Sequence, residues 1–581
     1  MAEFLALITS ARPSDAEVQA AIDASLPALA IEPVGTRVIG HACGPVVIEF
    51  RGRGSAVATR GPEDRADVVT LFDGTSWIDD ASSFLTADVA ERLPLGSVAI
   101  HGAHHYVRVG QDGATIAGGD PLQALPLFIA AGPRWIGVAS RAGILRAVLG
   151  SRHVDVTPAM WLGCLGYRVG TTTHTPGVSR LPLRSTLHVS SAGEVRIREQ
   201  GDLWGKDDPR PLPDRLRAYR RQVQTACRLA LNAHGELELG LTGGKDSRLM
   251  LALLHEAGLH TSVRYSCMDF AAELGGSADA RVARLLARRF GLDLTVEARP
   301  LATSSPLEPN RFFARLANHA GISDGLLGLY DPTVASPATS SLRLVGLYGE
   351  ALKHFNKRPV AFTDALDITH FATLDPFGAL KPDAAHELKR AAAAEISRFQ
   401  DGACAPGDPP DVFYITQRLP NWAGGVAPVL RLTAGYFFPL YNLDLLTLPF
   451  EIGAQQRKDM WFHHRMITAV SQELADIPFT NDQWPASLQT PTPPLRNPEG
   501  AQAYGSWQAS INSSRPLRRA VAEMVAEPTA PWYEWLDRSV LLTTLAGEAD
   551  LTLQQIVGLY GLLSFAQWRS RPYPPTKIRF S

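Results

Sequence analysis

Residues 236–248 of the 581-residue chain read ELELGLTGGKDSR, a short alternating strand that passes through two adjacent glycines into an amphipathic helix. Gly243 and Gly244 allow tight, positive-φ backbone and a close approach to a ligand. The N–H groups exposed there and at the helix start form a cradle for anions at the positive end of the helix dipole. Thr242 and Ser247 add hydroxyl donors for phosphate oxygens. Asp246 stands where it can hold a Mg²⁺ that bridges phosphates, since Mg²⁺ favours one or two carboxylates plus phosphate oxygens. The candidate phosphate-holding element is therefore Leu241, Thr242, Gly243, Gly244, Lys245, Asp246, Ser247 and Arg248. The alternative is an ordinary strand-to-helix turn in which Asp246 or Ser247 caps the helix. The spacing is neither GxxxxGK[ST] nor GxGxxG, which excludes a Walker A loop and a dinucleotide fingerprint.

The surroundings decide how much weight the loop carries. The pattern predicts a helix over 216–232, a strand over 236–241 and a helix over 247–257. A strand over 261–266, a helix over 278–290 and an extended stretch over 294–297 follow. Strands alternating with helices imply a parallel sheet wrapped by helices, and ligands of open α/β sheets bind at the carboxyl ends of the strands. Before this region, short β segments (44–50, 68–72, 97–101, 106–109, 135–139) broken by Gly and Pro suggest stacked or sandwiched sheets. A polar, Pro-bearing stretch over 201–214 reads as a linker, and from about 376 onward the chain is mostly helical. A chain this long exceeds one core, so two domains are expected, 1–205 and 206–581.

Charge and cysteine usage narrow the class. A net charge of −2, from 56 basic and 58 acidic residues, leaves no broad footprint for nucleic acid or an anionic membrane. Cys43, Cys164, Cys227, Cys267 and Cys404 form no CxxC pair, which argues for reduced, partly buried thiols rather than disulfides or structural zinc. The first eight residues lack a basic region ahead of their apolar run, and no apolar stretch is long enough to cross a bilayer. A cytoplasmic protein without membrane insertion is expected.

The segment Thr242–Ser247 resembles the signature S/T-G-G-x-D-S of the PP-loop ATP pyrophosphatases, enzymes that cleave ATP between the α and β phosphates and make adenylated intermediates. Within that superfamily the chain is most similar to the asparagine synthetase group, which includes β-lactam and carbapenam synthetases and the lasso peptide macrolactam cyclases. The resemblance implies ATP and Mg²⁺ as cofactors and an adenine-flanking strand at Tyr265 and Ser266. The stretch Leu344-Val345-Gly346-Leu347-Tyr348-Gly349-Glu350-Ala351-Leu352 resembles the group's second phosphate loop, with Gly346 and Gly349 at the nucleotide and Glu350 as the second metal ligand. By the same resemblance Tyr348 is a candidate catalytic tyrosine, the alternative being a packed ring with its hydroxyl satisfied. Lys353, His354, Lys357 and Arg358 are candidates for pyrophosphate, with a solvated basic face as the alternative. Asp324 is a candidate contact to substrate amine or ribose, or a turn residue; Asp331 lies in the same crossing segment. Arg418, Trp422 and Gly424 resemble the R-x-x-x-W-x-G segment of lasso cyclases, and 438–445 resembles the group's P-F-x-D segment.

The first 204 residues resemble the Ntn-type, class II glutamine amidotransferase domain at Gly119-Asp120-Pro121-Leu122, at 139–145 and at 181–187. Glutamine-dependent members carry a cysteine at residue two; this chain reads Met1-Ala2-Glu3, which implies a degenerate, non-catalytic domain and a nitrogen source other than glutamine. The group's late catalytic lysine has no clear counterpart, and Lys458, His463, His464, Arg465 and Arg496 remain open as substitutes; Lys577 is the one later lysine. The expected fold class is thus α/β: a degenerate Ntn-type sheet domain, then a PP-loop parallel-sheet synthetase domain with a helical extension over 555–568. The expected reaction is amide formation through an acyl-adenylate, as macrolactam closure of a ribosomal lasso precursor peptide with a leader peptidase and a leader-binding protein as partners. The alternatives are a small-carboxylate amide or lactam synthetase using ammonia or an internal amine, and a non-catalytic ATP-binding scaffold.

Overall fold

The computed structural model describes the chain except for residues 1, 10–12, 30–32, 42–43, 52–57, 61–67, 79–80, 87–88, 91–92, 94–99, 200–208, 299–307, 329–341, 355–374, 400–407, 427–434, 500–510 and 571–581. Cys43, Cys404, Asp331, Lys357, Arg358, Lys577 and most of the expected linker fall outside the described residues.

The first half is built from β1 (Ala2–Thr9), β2 (Gly35–Gly40), β3 (Val46–Arg51), β4 (Ala58–Arg60), β5 (Val69–Trp77), β6 (His101–Val109), β7 (Thr115–Gly119), β8 (Phe128–Ala131), β9 (Trp135–Ala139), β10 (Val178–Arg180), β11 (Ser185–Val189) and β12 (Val195–Glu199). They form two antiparallel sheets, in the orders β10-β8-β9-β1-β3-β2 and β12-β11-β7-β6-β5-β4. The apolar run that opens the chain is β1, paired on both sides by β3 and β9. Its alternate residues serve two cores. Leu5 and Leu7 pack with Val18 and Ala21 of helix Asp15–Ser25 and Ile144 of helix Ala142–Leu149. Phe4, Ala6 and Ile8 pack with Val69, Leu71 and Val107 of the other sheet. Helix, sheet and sheet therefore stack in layers, the sandwich that the short strands implied.

The second half contains β13 (Leu237–Gly240), β14 (Val263–Asp269), β15 (Leu294–Ala298), β16 (Leu342–Leu344) and β17 (Tyr436–Phe437), all parallel, in the order β15-β14-β13-β16-β17. The chain builds outward from β13 to β15 and then returns to the other side of β13. The strand order reverses between β13 and β16, and their carboxyl ends part there to leave a crevice. Helix Leu212–His234 precedes β13, helix Lys245–Glu256 links β13 to β14, and helix Ala278–Phe290 links β14 to β15. The last of these is delimited by local chemistry: Ser277 caps its start on the Ala280 N–H, and Gly291, at φ 64°, ends it. The protein is thus mixed α/β, with antiparallel sheets in one half and a parallel sheet in the other.

The helical extension runs from Leu553 to Arg569. It lies against helix Thr157–Leu165 of the first half so closely that a Cβ on Gly558 would stand 2.2 Å from Gly163 O and one on Gly561 2.1 Å from Leu162 O. Only glycine allows that approach. Cys164, Cys227 and Cys267 are free and buried, and among the described residues no helix is long and apolar enough to cross a membrane.

Candidate functional site

The glycine loop follows β13 at the crevice. Leu241 continues the strand, its N–H donating to Ser266 O at 2.8 Å and its side chain buried. Thr242 and Ser247 close the loop on itself: their hydroxyls lie 3.0 Å apart, and Thr242 Oγ1 accepts the Gly244 N–H at 3.2 Å. Gly243 donates to Asp279 Oδ1 at 2.8 Å, and a Cβ there would fall 1.9 Å from Thr480 Oγ1, so no other residue fits. Gly244, not Asp246 or Ser247, is the N-cap of helix Lys245–Glu256, and it supplies no side-chain cap. The amides of Thr242, Gly243 and Gly244 are therefore already engaged, and the anion-binding capacity of the loop rests on the uncapped first turn that begins at Lys245.

Two residues of the expected cradle turn away from it. Lys245 points its ammonium at the Asp482 carboxylate and at Gln483 O (3.2 Å), between the rings of Phe479 (5.1 Å) and Trp484 (4.9 Å). Arg248 is fully buried, donating to Leu474 O (3.1 Å) and Pro478 O (2.7 Å) with its guanidinium 3.7 Å over Phe479. Both side chains are committed to fastening residues 474–484 onto the loop, so neither is placed to hold phosphate.

The second loop crosses the mouth of the crevice after β16. Gly346 and Gly349 bring it onto the first loop: a Cβ on Gly346 would stand 3.0 Å from Asp246 Cβ, and one on Gly349 2.8 Å from Asp246 Oδ1. This contact sets Asp246 beside Glu350. Lys353 Nζ donates to Asp246 Oδ2 at 2.5 Å, and His463 Nε2 lies 2.8 Å from Asp246 Oδ1. Burial alone would raise the pKa of Asp246, but Lys353 and His463 outweigh it and hold the carboxyl well below the usual range. Glu350 is shifted the opposite way, raised by burial and by the neighbouring Asp246 charge despite Lys353. Burial opposes the charge on Lys353, yet the two carboxylates raise its pKa. Glu350 Oε2 is buried with no hydrogen-bond partner among the described residues.

A pair of carboxylates served by one lysine, one of them pushed toward its protonated form and bearing an orphaned oxygen, is short of positive charge. A divalent cation relieves that deficit. Among the described residues no group of three or more His, Cys, Asp or Glu could by itself hold a metal ion.

The crevice opens into a cleft of about 380 Å³ lined by Asp246, Glu350, Ser266, Met268, Arg343 and Trp422 among others. Across its floor Ser266 donates to Glu238 at 2.6 Å, and Arg343 pairs with the same carboxylate at 2.9 Å. Trp422 comes from a π-helical segment, Tyr414–Ala423, with Arg418 lying 5.1 Å over its ring. Such segments are rare and concentrate at functional sites.

Several expected residues stand elsewhere. Tyr348 adopts φ 76°, which turns its ring into the core; it is fully buried, stacked on Tyr441 at 4.5 Å, and its hydroxyl finds no partner among the described residues. The ring is packed, but its hydroxyl is not satisfied among the described residues, which the packed alternative requires. Asp324 binds Arg141 at 2.6 Å in a cavity between the two halves, apart from the cleft that Asp246 and Glu350 line. His354 bonds Asp411 at 2.8 Å behind the site. Of the open substitutes for the late lysine, His463 alone is seen on the carboxylate pair; His464 lies on Gln489 at 3.0 Å. Asp279, Thr480 and Asp482, which hold the loop, carried no local signal beyond the acid in the helix after Ser277.

The glycine contact gives a direct test. Gly349→Ala is expected to lower the activity that this site supports by about 10²-fold, the cost of misplacing a group by an ångström, with the far-ultraviolet circular dichroism unchanged.

No protein-family model matches the chain, and no curated protein matches it. Among solved structures it is similar to glutamine phosphoribosylpyrophosphate amidotransferase from B. subtilis complexed with ADP and GMP, at 10% identity over 51% of this chain and 90% of that one, TM-score 0.22. It is also similar to an allosteric regulatory enzyme of purine biosynthesis, at 9% identity over 52% of this chain and 81% of that one, TM-score 0.23. At these values the functional reading is left to the geometry of the site.

Proposed function

We propose that the chain is an ATP-dependent amide-forming ligase that works through an acyl-adenylate, releasing AMP and pyrophosphate. The observation that carries the proposal is the pairing of Asp246 and Glu350 from two loops at the crevice where the parallel sheet reverses its strand order, beside an uncapped helix start. Together with the TGGKDS loop and its second half at 346–350, it supports a PP-loop synthetase half, preceded by an Ntn-type sheet half.

In this proposal Asp246 and Glu350 would hold Mg²⁺, which would supply charge neutralisation for the phosphates. The helix start at Lys245–Ser247 faces the phosphate chain, and Ser266 and Met268 flank the base. A substrate carboxylate attacks the α phosphorus, the bond to the bridging oxygen breaks, and pyrophosphate leaves with its charge on the Lys353 side. An amine then displaces AMP and loses a proton as the amide forms. Lys353, which donates to Asp246, would offset the charge of the departing pyrophosphate. Catalysis is positioning and charge stabilisation, with proximity contributing roughly 7–11 kcal/mol.

The resemblance of Arg418, Trp422 and Gly424 to the lasso cyclases, with Trp422 at the cleft wall, supports macrolactam closure between a precursor peptide's N-terminal amine and an Asp or Glu side chain. One observation favours the scaffold reading instead: Lys353 and His463 already occupy both Asp246 oxygens. Product analysis separates these. With a leader-cleaved precursor peptide, AMP, pyrophosphate and a peptide lighter by one water are expected. AMP, pyrophosphate and an amide formed from a small amino acid, with no peptide supplied, identify a small-molecule amide synthetase. ADP and phosphate, or no turnover with either, would refute adenylation.

A further inference from the structure

Tyr348 has no part in the chemistry proposed above, yet it is the best-anchored residue of the second loop. A non-glycine residue at positive φ persists only where its surroundings over-determine it. Here the surroundings are aromatic: the Tyr348 ring stacks on Tyr441, with centroids 4.5 Å apart and planes 25° apart, and meets Phe438 edge-on at 5.7 Å. Tyr441 is in turn fixed from the first half of the chain. Its hydroxyl donates to the Asp120 carboxylate and accepts the Leu122 N–H at 3.1 Å. Asp120 is 1% exposed and also accepts the N–H groups of Ala124 (2.9 Å) and His104 (3.2 Å), which immobilise it between β6 and the turn after β7. From the second half, Tyr219 donates to Leu440 O at 3.1 Å, so the strap 438–441 is held from both sides.

We propose that Asp120 and Tyr441 are positioning residues through which the antiparallel-sheet half holds the second loop, and so keeps Glu350 in register with Asp246. This rests on the ATP·Mg²⁺ reading of the site. The transmission is short. Only Gly349 separates Tyr348 from Glu350, and Gly349 already lies so close to Asp246 that a Cβ would stand 2.8 Å from its Oδ1. A loop packed this tightly cannot let the Tyr348 ring shift without changing the spacing of the two carboxylates. Outer partners of metal-binding carboxylates commonly govern metal affinity by 10–100-fold; this one acts through a stacked pair of rings rather than a hydrogen bond to the ligand. The sheet half thereby has a function in the ligase reaction without chemistry of its own.

Tyr441→Phe keeps the ring and its stacking and removes only the O–H. Calorimetric titration of ATP at increasing Mg²⁺ is expected to show a half-saturating Mg²⁺ concentration about tenfold higher than for wild type, with ATP capacity at saturating Mg²⁺ retained. Tyr348→Leu, which removes the stacked ring without touching the inter-half hydrogen bond, is expected to shift it in the same direction. A lowered unfolding midpoint with an unchanged Mg²⁺ requirement in both variants would make the contact a latch between halves and overturn the inference. Wild-type protein that binds no ATP with Mg²⁺ would overturn the site reading and this inference together; wild type that binds while both variants match it overturns the inference alone.

Discussion

Asp246→Ala is expected to lower substrate-dependent pyrophosphate release by about 10³-fold or more, the scale for removing a group that stabilises developing charge in a dry site. The size follows from how much converges on one carboxylate. Asp246 receives Lys353 and His463, faces Glu350 and lies under both glycines of the second loop. Its removal takes away one of the two proposed metal ligands and also leaves Lys353 without its counter-charge and His463 without its hydrogen-bond partner. His463 has its pKa lowered by burial, with Asp246 pulling the other way, so loss of the aspartate lowers it further. Asp246→Asn, which preserves shape but not charge, is expected to lose nearly as much. Retained pyrophosphate release by either variant, read by a coupled phosphate assay, would remove Asp246 from the mechanism.

Arg248→Ala is expected to have the largest effect on stability among residues of the glycine loop, about 3 kcal/mol or more, since hydrogen bonds to a charged group contribute about 1.5–3 kcal/mol each. The guanidinium is wholly enclosed, with burial lowering its pKa to about 9, and the carbonyls of Leu474, Ile477 and Pro478 have it as their donor. Deleting it strands those carbonyls and uncovers Phe479. Lysine is not expected to substitute, because a point charge cannot serve three carbonyls and cover a ring at once. The measurement is urea unfolding followed by tryptophan fluorescence, Trp484 lying in the segment that Arg248 secures. A variant with unchanged unfolding and weakened ATP binding would return Arg248 to the phosphate-holding set.

These two residues are two positions apart, and the sequence treats them alike; their separation shows where legibility ends. The switch from period-two strands to helices after residue 215 made the parallel sheet readable, because each element carries its own periodicity. The crevice followed, since strand order in such a sheet dictates where its loops part. Asp246 and Glu350 were readable as carboxylates at loop ends, and the structure brings them together. Lys245 and Arg248 were not, because their partners lie near residues 474–484, more than 200 positions away, and no local pattern ties FTNDQW to a glycine loop. The orientation of Tyr348 was hidden for a different reason: a positive φ at one residue reverses the side chain, and its neighbours give no hint of it. The close crossing of helices at Gly163, Gly558 and Gly561 was hidden in the same way, since a glycine in a helix reads only as a weak position until its neighbour is known.

In the proposed site Asp246 and Glu350 jointly hold a divalent cation for ATP between two loops. Isothermal titration of ATP into wild-type, Asp246→Ala and Glu350→Gln protein, each with Mg²⁺ and with a chelator, tests it without knowledge of the acyl donor or amine. The expected result is strong binding by wild type in Mg²⁺ alone, with the chelator or either substitution weakening it at least tenfold. Equal ATP affinity across all three proteins, or binding indifferent to Mg²⁺, would contradict the claim.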